Sequence, residues 1–196
     1  MATLLKIFSF TDTPEGWVFN AGGGTGLSTQ ASSSSPNDVV PTNVGTQKSI
    51  AVRRDGKSLS TGTPYYEWSG TWEDLGVPVG AVVTAVDLDY DWFCATYSTG
   101  ASSTVGPAEL RDNANVLRKT FSASAPFSTF STVWAIRDGT NQTGLSDASN
   151  TPIKLRINAK PNTGSSTSAF VVLALDYVRV NITYTLGTPN KLVSVV

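Results

Sequence analysis

The sequence predicts an all-β fold of two packed antiparallel sheets, and three observations carry that expectation. Apolar residues recur with a period of two and hardly anywhere with the helical period of about 3.6. The intervening stretches are punctuated by Gly, Pro, Asn and Ser, with 17 Gly and 10 Pro in the chain, the residues that mark turns. A chain of 196 residues with 40% hydrophobic content makes one domain with a sizeable core, burying roughly 70% of its unfolded surface.

Taken in order, the strand expectations are Leu4 to Phe10, Trp17 to Asn20, Ser49 to Arg53, Tyr65 to Trp72, Ala81 to Tyr97, Ala108 to Arg111, Val116 to Phe121, Thr132 to Arg137, Ile153 to Ala159 and Phe170 to Tyr184. Two are long. In Ala81 to Tyr97, alternation puts Val82, Val86, Leu88, Tyr90, Trp92 and Cys94 on one face and Asp87, Asp89 and Asp91 on the other. In Phe170 to Tyr184, Phe170, Val172, Val178, Val180, Ile182 and Tyr184 share a face, opposed by Tyr177, Arg179, Asn181 and Thr183. About ten strands with short connections read as a sandwich. Only Asp112 to Lys119 could make a helical turn or two. Low-complexity segments at 22–38, 98–106 and 162–168 read as loops.

Charge and residue usage exclude several classes of function. Fourteen basic and fifteen acidic residues give a net charge of -1, with no basic tract to follow a phosphate backbone, so nucleic acid is not an expected partner. The absence of His removes Ser-His-Asp and Cys-His catalysis, His-based zinc sites and the usual proton shuttle. The single cysteine, Cys94, forms no intrachain disulfide and is expected in the core. The first residues have too short an apolar run for a signal peptide, and no stretch approaches a membrane span, so the expected site of synthesis is cytoplasm.

Motif-like strings mostly resolve into turns. Gly56-Lys57-Ser58 resembles the end of a P-loop but lacks its upstream Gly, since Ala51 stands there; Arg54-Asp55-Gly56-Lys57 reads as a type I′ hairpin turn. The Gly22 to Gly26 cluster opens no helix and is no dinucleotide fingerprint. Asn141-Gln142-Thr143 and Asn181-Ile182-Thr183 fit the glycosylation sequon and read as chance matches.

Two groups of side chains are candidates for chemistry. Asp87, Asp89 and Asp91 stand roughly 6.5 to 7 Å apart along one strand face; two could frame a glycosidic bond at the roughly 6.5 to 9.5 Å of an inverting pair. A solvated face, or one that meets Arg and Lys of a partner, is the expected reading. Trp17, Phe19, Tyr90, Trp92 and Tyr184 fall at core positions. Tyr66, Trp68 and Trp72 alternate with polar neighbours and could stack on sugar C–H groups, with Glu67, Glu73 or Asp89 accepting hydroxyl hydrogen bonds. The same alternation also turns these three rings inward as core.

Phe10-Thr11-Asp12 followed by Glu15-Gly16-Trp17-Val18-Phe19, the middle Trp72-Glu73-Asp74-Leu75 and the late Ala174-Leu175-Asp176-Tyr177-Val178-Arg179-Val180 together resemble the jelly-roll sandwich of carbohydrate-binding modules and galactose-binding-like domains. The resemblance spans residues 5 to 185. That type of module also occurs in bacteriophage virion proteins, including capsid decoration and tail proteins. It implies a structural Ca²⁺ held by Asp12 and Asp176, hard oxygen donors suited to that ion; Tyr177 stands where such modules carry Asp or Asn. No other cofactor is expected.

The resulting expectation is an antiparallel jelly-roll β-sandwich over residues 1–186 with an extended C-terminal arm over 187–196, whose Leu192, Val193, Val195 and Val196 pack on a neighbouring subunit. The expected function is non-enzymatic: a virion structural component, cement or tail, that contacts capsid or tail proteins and its own copies. The alternative is a carbohydrate-binding module that uses Tyr66, Trp68 and Trp72.

Overall fold

A computed structural model of the chain describes residues 1–8, 15–20, 27–33, 48–55, 65–96, 102–121, 131–137, 139–162 and 170–187. They form twelve strands: β1 (Ala2–Phe8), β2 (Val18–Asn20), β3 (Leu27–Ser33), β4 (Lys48–Asp55), β5 (Tyr65–Thr71), β6 (Ala81–Thr96), β7 (Ser102–Asp112), β8 (Leu117–Thr120), β9 (Ser131–Arg137), β10 (Gln142–Ala148), β11 (Pro152–Asn162) and β12 (Phe170–Leu186). No helix occurs among the described residues. All pairings are antiparallel. Sheet A runs β10-β6-β12-β4-β3, with β1 also on β12 and β9 also on β6; sheet B runs β2-β5-β11-β7-β8. The all-β antiparallel sandwich expected from the sequence is the observed fold.

The core lies between the sheets and follows from alternation. In sheet B, Tyr66 and Trp68 of β5, Leu110 of β7 and Ile153, Leu155 and Ile157 of β11 all point inward and are buried. In sheet A, Val86, Leu88 and Tyr90 of β6 meet Val178, Val180 and Ile182 of β12. Each such side chain contributes roughly 1.5–3 kcal/mol by leaving water. Trp68 folds back over its own strand, where a Cβ at Gly70 would stand 2.5 Å from the indole. Only glycine leaves room for the ring there. Phe8 packs edge-on against Trp17, with centroids 5.6 Å apart, and tilted against Trp68 at 5.8 Å.

Both long strands carry a slip in the expected alternation. In β6 the register shifts at Thr84, between Val83 opposite Tyr184 and Ala85 opposite Thr183, and the buried positions pass from Ala81 and Val83 before the slip to Val86, Leu88 and Tyr90 after it. Val82 therefore does not share the face of Val86. In β12, Leu175 and Val178 are both buried although three residues apart, because an irregularity separates them. The single face expected from Phe170 to Tyr184 is broken at that bulge.

Other expectations change with the topology. β3 and β10 were not anticipated; β3 lies within the low-complexity segment at 22–38. Gly56 and Lys57 of the expected Arg54–Lys57 hairpin turn lie outside the described residues; the strand partners of β4 are β3 and β12. Instead of helix, Asp112 to Lys119 forms the β7–β8 turn. Asp112 Oδ1 accepts the Val116 N–H at 2.8 Å, and Asn115 takes a φ of 68°.

One end of the sandwich is tied by polar contacts between the sheets. The turn after β5 is latched to the β10–β11 connection: Glu73 N donates to Ser149 O at 2.9 Å and Ser149 Oγ to Glu73 Oε1 at 2.8 Å. Beside it, buried Asp147 of β10 accepts Trp72 Nε1 at 3.0 Å and both terminal nitrogens of Arg118 from β8 at 2.7 Å each.

Candidate functional site

Tyr66, Trp68 and Trp72 have relative exposures of 2%, 7% and 0%, so no ring face among them is open to a surface ligand. Tyr66 meets Phe19 at 4.9 Å, Trp68 meets Phe8, and the Trp72 indole donates to Asp147. The three rings are core, as their alternation also allowed, and the stacking platform of the carbohydrate-binding alternative is corrected accordingly. Trp17 and Tyr90 are core as expected, with Phe19 and Tyr184 packed partly buried against it. Asp12, Leu192, Val193, Val195 and Val196 lie outside the described residues, as do the side chains of Asp176, Trp92 and Cys94. Among the described residues no group of three or more His, Cys, Asp or Glu gathers to hold a metal ion.

The aromatic ring that does reach the outer side of sheet B is Tyr65, one residue from the expected set. It is half-buried, and the Arg156 guanidinium lies over it at 3.6 Å from the centroid. Register explains the grouping: Glu67 of β5 pairs with Arg156 of β11, which pairs with Glu109 of β7, while Tyr65 pairs with Asn158. Alternation points Tyr65, Glu67, Lys154, Arg156, Asn158, Glu109 and Arg111 outward. Arg156 donates to Glu67 Oε2 through Nε at 2.9 Å, and to Asn115 Oδ1 at 3.0 Å. Lys154 reaches the same Asn115 oxygen at 3.0 Å. Asn158 Nδ2 bridges Glu109 Oε1 at 3.0 Å and Pro107 O at 3.1 Å, and Arg111 Nε holds Glu109 Oε2 at 2.7 Å. This is a mutually bonded network of planar donors and acceptors beside one half-buried aromatic ring, with Arg156 8% exposed and the Glu67 and Glu109 side chains 12% each.

Two members of the aspartate ladder, Asp87 and Asp89, are described on the outer side of sheet A, and they differ. Asp89 is 5% exposed, ion-paired through Oδ2 with its cross-strand neighbour Arg179 and accepting the Gly139 N–H on Oδ1 at 2.8 Å. The cation that meets this face belongs to the chain itself, which corrects the expectation of open solvent or a partner's charge. Asp87 is less buried and accepts the Leu88 N–H at 2.9 Å. The side chain of Asp91 lies outside the described residues. With both Asp89 oxygens engaged, Asp87 and Asp89 do not present a free acid and base to one substrate.

Beside Asp87 the surface sinks into a recess of about 140 Å³ lined by Thr3, Asp87, Asn141, Asn181 and Thr183. The two sequon asparagines meet here. Neither sequon pointed to the recess, because the strand register that joins them is not written in either tripeptide.

No protein-family model matches the chain, and no curated protein matches it. Among solved structures, the chain is similar to the N-terminal CBM22-1–CBM22-2 tandem domain from Paenibacillus barcinonensis Xyn10C, with a TM-score of 0.51 and 14% identity over 94% of this chain and 46% of that one. It is also similar to the arabinose-bound MgGH51 α-L-arabinofuranosidase, with a TM-score of 0.50 and 12% identity over 85% of this chain and 23% of that one. The CBM22-1 xylan-binding domain of the same Paenibacillus protein aligns over 91% of this chain and 92% of its own length, with a TM-score of 0.49 and 15% identity. The first two of these likenesses agree with the β-sandwich fold described above.

Proposed function

We propose that the protein is a non-catalytic glycan-binding module that uses the outer side of sheet B. The observation that carries this reading is the Tyr65–Arg156 stack with Glu67, Asn158 and Lys154 held around it. A sugar presents hydroxyls that donate and accept, and planar carboxylate, amide and guanidinium groups fixed by their neighbours meet them with little loss of side-chain freedom. The tyrosine supplies apolar contact for the ring C–H groups. The sandwich shared with the tandem carbohydrate-binding domain supports the same reading. Calorimetry of the whole chain against a panel of soluble plant and bacterial oligosaccharides tests it. Saturable binding to one glycan class, lost in Tyr65→Ala at unchanged melting temperature, is expected. No binding across the panel, or binding indifferent to Tyr65→Ala, overturns it.

The virion role expected from the sequence rests on Leu192, Val193, Val195 and Val196 and stays a proposal with a separate test. Removing residues 187–196 should lower the solution mass to that of a monomer while leaving the fold intact. An unchanged oligomer, or a full-length chain that is itself monomeric, removes that role.

A further inference from the structure

We propose that the recess on sheet A is a second saccharide-binding site, on the side of the sandwich opposite the Tyr65 face, that takes one terminal sugar unit through vicinal hydroxyls. Its lining comes from adjacent rows of the sheet. Thr3 of β1 pairs with Thr183 of β12, and Asn181 of β12 pairs with Asp87 of β6. Asn141 enters just before Gln142, which pairs with Val86. The approach of this last segment is fixed by Gly139: a Cβ there would collide with the Leu88 carbonyl oxygen and stand 2.7 Å from Asp87 Oδ1. Its N–H is held by Asp89, whose other oxygen is held by Arg179. Asn141 is thereby carried to the rim on a rigid support.

The chemistry of the lining selects the ligand. Two amides and two hydroxyls each donate and accept, and one carboxylate accepts. Such a set matches a neutral ligand whose neighbouring oxygens do both, as the hydroxyls of a sugar ring do. The amides of Asn141 and Asn181 make no hydrogen bond to other described groups, so their capacity is open to a ligand. An anion would meet Asp87. Calcium needs six to eight oxygens at about 2.3–2.6 Å, and a recess of about 140 Å³ with one carboxylate is too wide and too weakly charged for it. Leu5, 51% exposed and paired with Asn181 on the same side, provides apolar contact at the edge. The volume is well below the roughly 300 Å³ at which pockets begin to bury larger ligands, so one ring enters end-on and a continuous polymer does not.

The test is a titration of the whole ¹⁵N-labelled chain with methyl glycosides of glucose, galactose, mannose, xylose and arabinose at millimolar concentrations, following the side-chain NH₂ signals of Asn141 and Asn181. Saturable shifts of both signals by at least one glycoside are expected. Asn181→Ala and, separately, Asn141→Ala should weaken that binding by about tenfold, roughly one well-made polar contact, at unchanged melting temperature. Tyr65→Ala should leave it intact, so the two sites fail or stand separately. Absence of shifts with every glycoside, shifts that survive Asn181→Ala, or shifts produced by calcium chloride in place of sugar would overturn the proposal. If Asn181→Ala misfolds, Thr183→Val takes its place with the same expected loss.

Discussion

Replacing Asp147 by Ala should destabilise the fold more than the loss of any exposed carboxylate, because three bonds converge on a side chain that is 7% exposed. Trp72 is fully buried, and its N–H would lose its acceptor with no water to replace it, which costs about 1–3 kcal/mol. Arg118 would lose both bonds of a bidentate pair, but its side chain is 26% exposed and can turn to solvent. Its share therefore sits nearer the surface range of about 0.2–1 kcal/mol than the 3–5 kcal/mol of a stranded buried ion. The sum is about 1–4 kcal/mol, or roughly 2–16 °C in melting temperature at about 2–4 °C per kcal/mol for a domain this size. Asp147→Asn keeps an acceptor for the indole and removes the charge, so it should recover about half of the loss. The hydrogen bonds from Arg118 to Asp147 raise the arginine above its ordinary range. A raised cation contributes stability that is fully present below its unfolded pKa, so the arginine side of this pair should show no pH dependence near neutrality. Urea and thermal unfolding of wild type, both Asp147 variants, Arg118→Met and the double variants give the coupling directly. An Asp147→Ala protein within a degree of wild type would refute the reasoning.

Two further outcomes follow from local geometry. Asp74 accepts the Thr71 N–H at 2.7 Å and the Thr71 hydroxyl at 2.8 Å, which lowers its pKa below 3.8, with the backbone bond the larger cause. Its stabilising effect is present above the unfolded pKa and lost as pH falls through the lower folded value. An NMR titration should place the midpoint below the usual range of an aspartate, and Thr71→Val should move it only part of the way back; a wild-type midpoint within that usual range contradicts this. Trp68→Ala should cost about 3–5 kcal/mol by opening a cavity, read as a drop in melting temperature. A loss under about 1 kcal/mol, small for a buried aromatic, would show that the indole is not core.

Much of the architecture was legible because burial on one side of a strand writes itself as alternation. β5 and β11 are examples: Tyr66, Trp68, Ile153, Leu155 and Ile157 sit where period two puts them. What escaped were the places where alternation stops informing. The bulges in β6 and β12 shift parity without any Gly or Pro to announce them. β3 is built of Leu-Ser-Thr-Gln-Ala-Ser-Ser, a composition that says loop until β4 supplies a partner. The candidate sites were legible only in part. Tyr65 stands in the aromatic segment that the sequence singles out, next to Tyr66, and which parity faces out depends on the sheet across the core. Asn141 and Asn181 meet through strand pairing, and separation along the chain hides that kind of relation.

β12 occupies the middle of sheet A, bonded along one edge to β6 and along the other to β1 and β4, yet a ribosome delivers it last of the twelve strands. Until it emerges, the first strand has no mate, because Ala2 waits for Tyr184 and Phe8 for Val178. Among the described residues, the β3–β4 pair and the β6, β9 and β10 group are not strand partners of each other. Contacts of such long sequence separation make folding slow, and during that interval the apolar side of β6 and its unpaired edge are open to other nascent chains. A frameshift or premature stop before residue 170 therefore removes the seam of the sheet rather than its border, and leaves three pieces of sheet A with nothing to join them.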